Sequence, residues 1–185
     1  ATHASVNAQI AQKDSIPLTQ HVRLGLDTHK HRRTLNELVS GGSGGIGKCA
    51  CAELAQRGHI VYELSRHGAA AGAVRHITAD VTDEVSLRAA VETVMREQGR
   101  IDILINNAGF GISGAAEFTD IAQAQKQLDV NFFGCVRLCH AALPYFRKQG
   151  YGRIVNVSSV AAMAPIPFQA FYSASKAAIN SFSMA

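Results

Sequence analysis

Near the end of this 185-residue chain, Tyr172 and Lys176 have side-chain types and a spacing that suit proton transfer. Residues four apart on a helix share a face, so the lysine ammonium would lie close enough to stabilise a phenolate. A tyrosine hydroxyl ordinarily titrates at about pH 10, and a nearby positive charge makes its proton easier to exchange at neutral pH. Two further hydroxyls, Ser158 and Ser159, end an apolar run just upstream. These residue types predict acid–base chemistry at a single site.

A glycine-rich stretch, Gly41 to Gly47, lies between a short apolar run and a helical pattern. A strand, a tight turn and a helix in that order direct the first backbone N–H groups of the helix at an anion. Without Cβ atoms, the loop can also approach a ligand closely. The stretch therefore predicts a phosphate-binding loop.

Three nucleotide-binding patterns overlap in this loop. Residues 42–47 match G-x-G-x-x-G, and Gly41, Gly45 and Gly47 match a looser nucleotide pattern. The stretch also matches a P-loop at every position but one, because Cys49 stands where a hydroxyl would bind Mg²⁺. The loop favours a dinucleotide over a nucleoside triphosphate, and a turn that binds no ligand is the remaining alternative.

The residues after the second predicted strand bear on the choice of dinucleotide. An NAD site carries an acid about 20 residues beyond the glycines, whereas a basic residue there accommodates the 2′-phosphate of NADP. Here the strand ends in Ser65, Arg66 and His67, and the nearby acid Glu63 lies inside the strand. Arginine suits bidentate contact with phosphate. We expect NADP(H), with NAD(H) as the second choice and a solvated surface arginine as the alternative.

Alternating strand and helix patterns predict an α/β fold with a parallel sheet covered by helices on both faces. Ligands of such sheets bind outside the carboxyl ends of the strands, where the glycine loop, Asn107 and the two serines would meet. The predicted strands are 35–40, 59–65, 74–80, 100–109 and 152–159, and the predicted helices are 48–57, 83–98 and a less regular 115–149.

Length and a hydrophobic content of 47% suit one domain with a sizeable core, assigned to residues 35–185. Residues 1–34 lack apolar periodicity, so we expect a poorly ordered extension, with a targeting presequence as the alternative. Within it, His29 and His31 lack accompanying carboxylates or cysteines, and we assign no metal site. No apolar run reaches membrane-spanning length.

The net charge of +4 and the pI of about 9.0 come from scattered basic residues. Such a surface predicts neither a nucleic acid nor a membrane as partner and suits a phosphate-bearing ligand. The pairs Cys49/Cys51 and Cys135/Cys139 lack the C-x2-C spacing of redox or zinc sites. We therefore expect free thiols and a reducing, cytoplasmic location.

Taken in order, these motifs resemble the classical short-chain dehydrogenase/reductase family over residues 35–185. Residues 40–47 are similar to its cofactor loop, residues 80–81 to its adenine-contacting pair, and residues 106–109 (Asn-Asn-Ala-Gly) to its sheet motif. The resemblance implies a Rossmann-type doubly wound parallel sheet in three α/β/α layers. It also implies cofactor contacts from Ser40, Gly41, Ser43, Gly45, Ile46, Gly47, Ser65, Arg66, Asp80, Val81, Asn107, Ala108, Gly109, Tyr172 and Lys176.

The resemblance further implies a catalytic tetrad of Asn131, Ser159, Tyr172 and Lys176, and hence an NADP(H)-dependent oxidoreductase of the carbonyl reductase type. Tyr172 would exchange a proton with the oxygen of a ketone or secondary alcohol as hydride passes between substrate and cofactor. Ser159 would bond that oxygen, and Lys176 would hold the cofactor ribose and favour the phenolate. Asn131 would position a water that links Lys176 to solvent. Apolar residues on nearby loops suggest a medium-sized hydrophobic substrate: Phe110, Ile112, Met163, Ile166, Phe168 and Phe171.

The end of the chain departs from the family pattern, because family members continue well past the helix that carries Tyr172, and this chain stops nine residues after Lys176. We therefore expect the last strands of the sheet to be missing and the fifth strand to form an exposed apolar edge. A homodimer or homotetramer is expected only where the full family fold is present. A truncated, non-catalytic nucleotide-binding domain is the alternative to an active enzyme.

Overall fold

The computed structural model describes residues 33–185, in which five parallel strands form one sheet in the order β3-β2-β1-β4-β5. The order reverses direction at β1, so the carboxyl ends of β1 and β4 flank a crevice of the kind that binds ligands in open α/β sheets. The strands are β1 Asn36–Ser40, β2 Ile60–Ser65, β3 Val74–Thr78, β4 Ile103–Asn106 and β5 Arg153–Asn156.

Five α-helices connect and follow the strands of this sheet. One of them, α2 (Glu84–Gln98), begins and ends as its sequence predicts: the Asp83 carboxylate accepts the backbone N–H of Val85 at its start, and Gly99 ends it in the left-handed conformation. Between β2 and β3 the described chain crosses without a helix, as the short linker predicts. The helices are α1 Gly45–Gln56, α2 Glu84–Gln98, α3 Ile121–Leu128, α4 Gly134–Gln149 and α5 Ala170–Met184.

The long irregular pattern at 115–149 divides into several pieces. A short 3-10 turn, Ala116–Phe118, precedes α3, and a π-helical turn, Asp129–Phe133, joins α3 to α4. Pro144 lies inside α4 without ending it. Widened π turns frequently occur at functional sites, and this one contains the predicted site residue Asn131.

Side chains alternate between the two faces of the sheet and build a core on each. Leu38 and Leu64 belong to the larger core with α2 and α4, while Val39 and Val61 pack against α1 on the other face. Phe182 of α5 packs against the larger core. Helices on both faces of a parallel sheet confirm the predicted Rossmann-type α/β fold.

Two polar residues begin β1, where a central strand is expected to be apolar, and the structure buries both. The backbone N–H of Asn36 donates to Asp102 Oδ2 at 2.9 Å. Glu37 is 1% exposed, and burial, with the Asp102 charge as a smaller cause, raises the pKa of its carboxyl to about 7.

The four cysteines are free thiols in the described chain. None of the helices within residues 33–185 combines the length and apolar character needed to cross a bilayer. The predicted extension and its histidines, His29 and His31, fall outside the residues that the structure describes.

Candidate active site

The glycine loop turns sharply between β1 and α1. Gly41 and Gly45 have φ angles of +69° and +50°, a region that side-chain-bearing residues rarely adopt. At Gly47 a Cβ would overlap the carbonyl oxygen of Gly41 and the side-chain amide of Asn107, so only glycine fits there. The loop is thereby held close to the end of β4.

Ser40 and Asn107 lock the glycine loop onto the turn after β4. The Ser40 hydroxyl, on a residue that is 2% exposed, accepts the backbone N–H groups of Asn107 and Ala108, both at 3.1 Å. In return the Asn107 amide donates to the carbonyl oxygens of Ser40 and Gly41 at 3.1 Å. Two residues predicted to contact a cofactor therefore act on the loop itself.

One end of the site is a cavity of about 440 Å³ at the carboxyl ends of β1, β2 and β3. The exposed side chain of Arg66 lines this cavity, as do Lys126 and Val130. Eight predicted cofactor residues line it: Gly41, Ser43, Ser65, Arg66, Asp80, Val81, Ala108 and Gly109.

Asp80 is the acidic group of this cavity, and its surroundings keep it ionised. Burial alone would raise the pKa of its carboxyl. Hydrogen bonds from the backbone N–H and the hydroxyl of Thr82, at 2.9 and 2.8 Å, together with the charges of Arg66 and Arg137, instead hold that pKa below its ordinary value. The cavity thus contains an ionised carboxylate, that of Asp80, near the exposed side chain of Arg66.

The other end of the site is a cavity of about 720 Å³ between the glycine loop and α5. Ser159, Tyr172 and Lys176 line it together with Ile46, Asn107 and Gln169. Both cavities share Gly41, Ser43, Ala108, Gly109 and Phe110. The two cavities therefore form one groove that crosses the glycine loop.

Lys176 is a buried cation close to the tyrosine. It is 4% exposed, its Nζ donates to the carbonyl oxygen of Val157 at 2.8 Å, and it lies 5.8 Å from the centroid of the Tyr172 ring. Burial lowers the pKa of the ammonium to about 8. The two side chains stand in the arrangement that their spacing predicts.

The two serines after β5 point to different partners. Ser159 Oγ accepts the backbone N–H of Ala161 at 3.1 Å and caps the short 3-10 turn Val160–Ala162. This leaves the hydroxyl hydrogen of Ser159 to be donated into the cavity. Ser158 Oγ donates to the carbonyl oxygen of Lys176 at 3.3 Å, so it holds the middle of α5 near the strand.

Asn131, by contrast, lies behind the groove and lines neither cavity. Its side-chain oxygen accepts the backbone N–H of Phe110 at 2.9 Å, and its amide donates to the Phe110 carbonyl at 2.9 Å and to Ser175 Oγ at 3.0 Å. Both amide hydrogens are therefore donated to protein atoms. The predicted role in holding a water stays a prediction.

The structure brings most predicted residues to one groove and adds residues that the motifs did not reveal. Ser40, Gly47 and Asn131 shape the groove from behind, and the others line it. Lys126 and Gln169 were missed. The only sequence signal for Lys126 was its spacing of four from Val130, which puts both side chains on one helix face.

Comparison with known proteins bears on the family and the backbone fold of the chain. A sequence model described as short chain dehydrogenase matches residues 36–185. The 3-ketodihydrosphingosine reductase of Bacteroides thetaiotaomicron is 48% identical over 149 residues, which cover 80% of this chain and 55% of that protein. Human retinol dehydrogenase 8 is 36% identical over 157 residues, covering 78% and 50%.

The backbone of the chain also superposes on those of solved structures. The ligand-free aldohexose dehydrogenase of Thermoplasma acidophilum superposes with a TM-score of 0.78 at 31% identity, over 81% of this chain and 59% of that one. ElxO with NADP bound superposes with a TM-score of 0.76 at 27% identity, covering 81% and 65%. The chain spans about half the length of the curated relatives it matches. It belongs to the short-chain dehydrogenase/reductase family of NAD(P)-binding oxidoreductases.

Proposed function

We propose that this protein interconverts a ketone and a secondary alcohol with NADP(H), using Tyr172 as general acid and base. One observation carries the proposal: the buried ammonium of Lys176 lies 5.8 Å from the Tyr172 ring, in a cavity continuous with the glycine loop. The half-buried tyrosine opens into this cavity beside Ser159.

The groove fits a dinucleotide at several points. The first turn of α1 has no capping side chain and no acidic residue, so its N–H groups are open to an anion. A Cβ at Gly44 or Gly45 would meet nothing within 4 Å, which leaves the outer side of the loop open for a pyrophosphate. Cavities on either side of the loop have volumes that suit the two nucleosides.

A preference for NADP(H) is supported by Arg66 at the tip of β2. Its side chain is exposed at the smaller cavity, where a 2′-phosphate would lie. The acid closest to it in sequence, Glu63, is 2% exposed and is bound to His76 and to the hydroxyl of Ser65. Glu63 therefore cannot hold a ribose hydroxyl as the acid of an NAD site does.

The reaction would divide among this chain's residues as follows. When bound, the nicotinamide cofactor supplies or accepts the hydride. Ser159 donates its hydroxyl hydrogen to the substrate oxygen, and Tyr172 delivers a proton to the same oxygen during reduction or removes it during oxidation. Lys176 stabilises the phenolate that remains on Tyr172 after it has given up its proton.

The pKa of Lys176 sets a limit on this assistance. With a folded pKa of about 8, lowered by burial, the ammonium is mostly charged at neutral pH and loses its charge as the pH rises above about 8. In the cofactor-free protein, electrostatic support of the phenolate should therefore be strongest below about pH 8.

For the substrate, we propose a ketone with an extended apolar chain. Two exposed apolar side chains, Phe110 and Ile166, line the larger cavity, and Met163 and Phe168 are exposed on the same loop as Ile166. The relative that is 48% identical is named as a reductase of 3-ketodihydrosphingosine, a long-chain ketone. That compound is therefore the first substrate to test.

The test uses protein expressed from its complete reading frame, with NADPH oxidation followed in the presence of 3-ketodihydrosphingosine and of short-chain ketones. We expect turnover with NADPH, and a Tyr172→Phe variant that loses roughly 100- to 10,000-fold in kcat while its Kd for NADPH rises by no more than about tenfold, the effect of one lost hydrogen bond. Turnover that survives Tyr172→Phe, or no turnover with any ketone or alcohol despite tight NADPH binding, would contradict the proposal.

The cofactor preference has its own variant. Arg66→Gln should weaken NADPH binding roughly 10- to 100-fold, since it removes charged hydrogen bonds to a phosphate, and should leave NADH binding unchanged. Equal losses for both cofactors would argue against a contact with the 2′-phosphate.

A further inference from the structure

Between the cofactor loop and the catalytic helix lies a polar cluster, formed by the backbone of Phe110 and the buried side chains of Asn131 and Ser175. Asn131 sits in the π-helical turn, is 1% exposed, and binds both the N–H and the carbonyl of Phe110. Gln127 donates to the same Phe110 carbonyl at 3.0 Å. The backbone that follows Gly109 in the groove is thus held from behind by two side chains.

Ser175 joins this cluster to the catalytic helix α5. Its side chain is fully buried, at 0% exposure, and its hydroxyl accepts the amide of Asn131 at 3.0 Å. The same hydroxyl donates to the carbonyl oxygen of Tyr172 at 2.7 Å. One hydroxyl therefore bridges the π turn and the backbone of the proposed acid–base residue.

Two of the contacts that hold the catalytic helix lie close to the groove. Lys176 Nζ is bound to the carbonyl of Val157 at the end of the fifth strand, and Ser175 is bound to Asn131. A Cβ on Gly109 would lie 3.0 Å from Asn131 Oδ1 and 3.6 Å from Lys176 Nζ, so both groups crowd the same glycine. The position of α5 relative to the cofactor loop depends on these contacts.

We propose that Ser175 is a positioning residue, which sets the Tyr172 and Lys176 side chains against the cofactor loop through Asn131. The proposal rests on the proposed function. Misplacement of a reacting group by about 1 Å can cost roughly 100-fold in rate. Loss of the single hydrogen bond between Ser175 and Asn131 is therefore expected to slow the chemical step.

Ser173 provides a matched control on the same helix. It is also buried, at 4% exposure, but its hydroxyl accepts the backbone N–H of Ile166 at 3.3 Å, on the loop that lines the larger cavity. Removing it disturbs a different loop and leaves the Ser175–Asn131 bond in place. The pair Ser175→Ala and Ser173→Ala therefore separates positioning of the tyrosine from general loss of a buried hydroxyl.

The kinetic test compares both variants in protein expressed from its complete reading frame. Ser175→Ala should lower kcat roughly 10- to 100-fold, change KM for the ketone and Kd for NADPH by less than about threefold, and move the pKa seen in the kcat–pH profile upward by about half a unit. Ser173→Ala should leave that profile unchanged. Ser175→Thr, which keeps the hydroxyl, should recover most of the lost kcat.

A second arm tests coupling through Asn131. In an Asn131→Ala background, Ser175→Ala should cost little further in kcat, because the contact through which the serine acts is already absent. Additive losses in the double variant would overturn the proposal. So would a Ser175→Ala protein of lowered thermal stability whose kcat and pH profile match those of the wild type.

Hydrogen–deuterium exchange tests the same contacts without any turnover. Ser175→Ala should speed exchange of the Phe110 amide roughly tenfold, because the side chain that binds it loses one of its partners. Ser173→Ala should instead affect the Ile166 amide. If no ketone is turned over but this exchange pattern is observed, the proposed function fails while the coupling of Ser175 to the cofactor loop stands; unchanged Phe110 exchange overturns the coupling.

Discussion

Buried polar side chains lie near both ends of the first strand, Glu37 at the amino end and Ser40 at the carboxyl end. The two side chains differ in their hydrogen bonding. At the carboxyl end, Ser40 is 2% exposed and its hydroxyl accepts two backbone N–H groups from the turn after β4. At the amino end, Glu37 is 1% exposed, and no hydrogen-bond partner reaches its Oε2 atom within residues 33–185. Similar burial therefore has opposite consequences three residues apart.

The difference shows what a buried polar group needs in order to position a site. Ser40 is satisfied by backbone that must lie in one place, so its burial fixes the geometry of the glycine loop. Glu37 instead has two titratable neighbours. One is Asp102, a carboxylate already engaged with Arg100 and with the backbone N–H of Asn36, and the other is His59, whose Nε2 lies 4.0 Å from Glu37 Oε1. Burial there stores a pH-dependent cost and fixes no loop, which indicates that the two ends serve different purposes.

The largest expected effect on stability and cofactor binding comes from adding a side chain to the glycine loop, which follows the carboxyl end of β1. Gly47→Ala should destabilise the fold by about 3 kcal/mol, because its Cβ would overlap backbone of Gly41 and the Asn107 amide that locks the loop. NADPH affinity should fall at least about 100-fold, since the loop and the start of α1 can no longer keep their positions. Chemical denaturation and a fluorescence titration with NADPH measure the two effects.

Gly44→Ala is the matched control within the same loop. A Cβ at Gly44 meets nothing within 4 Å, and its φ of −151° is an ordinary extended value. We expect a stability change below about 1 kcal/mol. Equal losses of stability for Gly44→Ala and Gly47→Ala would show that loop flexibility, and not the close packing onto β4, is what the glycines provide.

At the amino end of β1, removing the charge of Glu37 should stabilise the protein. Since each pKa unit is worth about 1.4 kcal/mol, raising the pKa of Glu37 from 4.5 to about 7 makes its ionisation in the fold cost about 3 kcal/mol. Glu37→Gln should recover about 2 kcal/mol of this at pH 8, because the buried amide still lacks a full set of partners. Urea denaturation from pH 4 to pH 8 measures the gain.

The pH dependence identifies the cause of that gain. Wild-type stability should be intact with respect to Glu37 below about pH 4.5 and should fall as the pH rises towards 7, because the folded state retains the proton longer than the unfolded state. The advantage of Glu37→Gln should therefore be small at pH 4 and reach its full size by pH 8. A constant advantage across this range would mean that packing, and not ionisation, distinguishes the two side chains.

Much of the fold and of the groove could be predicted from the sequence, because those features depend on local sequence patterns. Strand and helix alternation, the glycine spacing and the Tyr172–Lys176 interval each reflect a geometry that a few neighbouring residues set. The π-helical turn and the roles of Asn131 and Ser175 depend on contacts between residues 44 apart in sequence. No local pattern reports such a contact.

The amino end of β1 shows the same limit from the opposite side. Asn36 and Glu37 look unsuited to a buried central strand, yet the strand forms with both inside the protein. Asp102, 66 residues beyond Asn36, accepts its N–H, and protonation offers Glu37 a neutral form. Both compensations are tertiary or chemical, so apolar patterning alone underestimates how well this strand is buried.

The smallest effect, and the sharpest test of the comparison, is at Ser40. Ser40→Ala leaves the N–H groups of Asn107 and Ala108 without their acceptor, which should cost about 1 to 2 kcal/mol and weaken NADPH binding several-fold. Ser40→Thr keeps the hydroxyl and should lose much less of both. Unlike Glu37→Gln, Ser40→Ala should cost the same at pH 5 and pH 8, because no proton is exchanged at the serine. A pH-dependent loss at Ser40 would show that the two ends of the strand are electrostatically coupled, contrary to the separation argued from their hydrogen bonds.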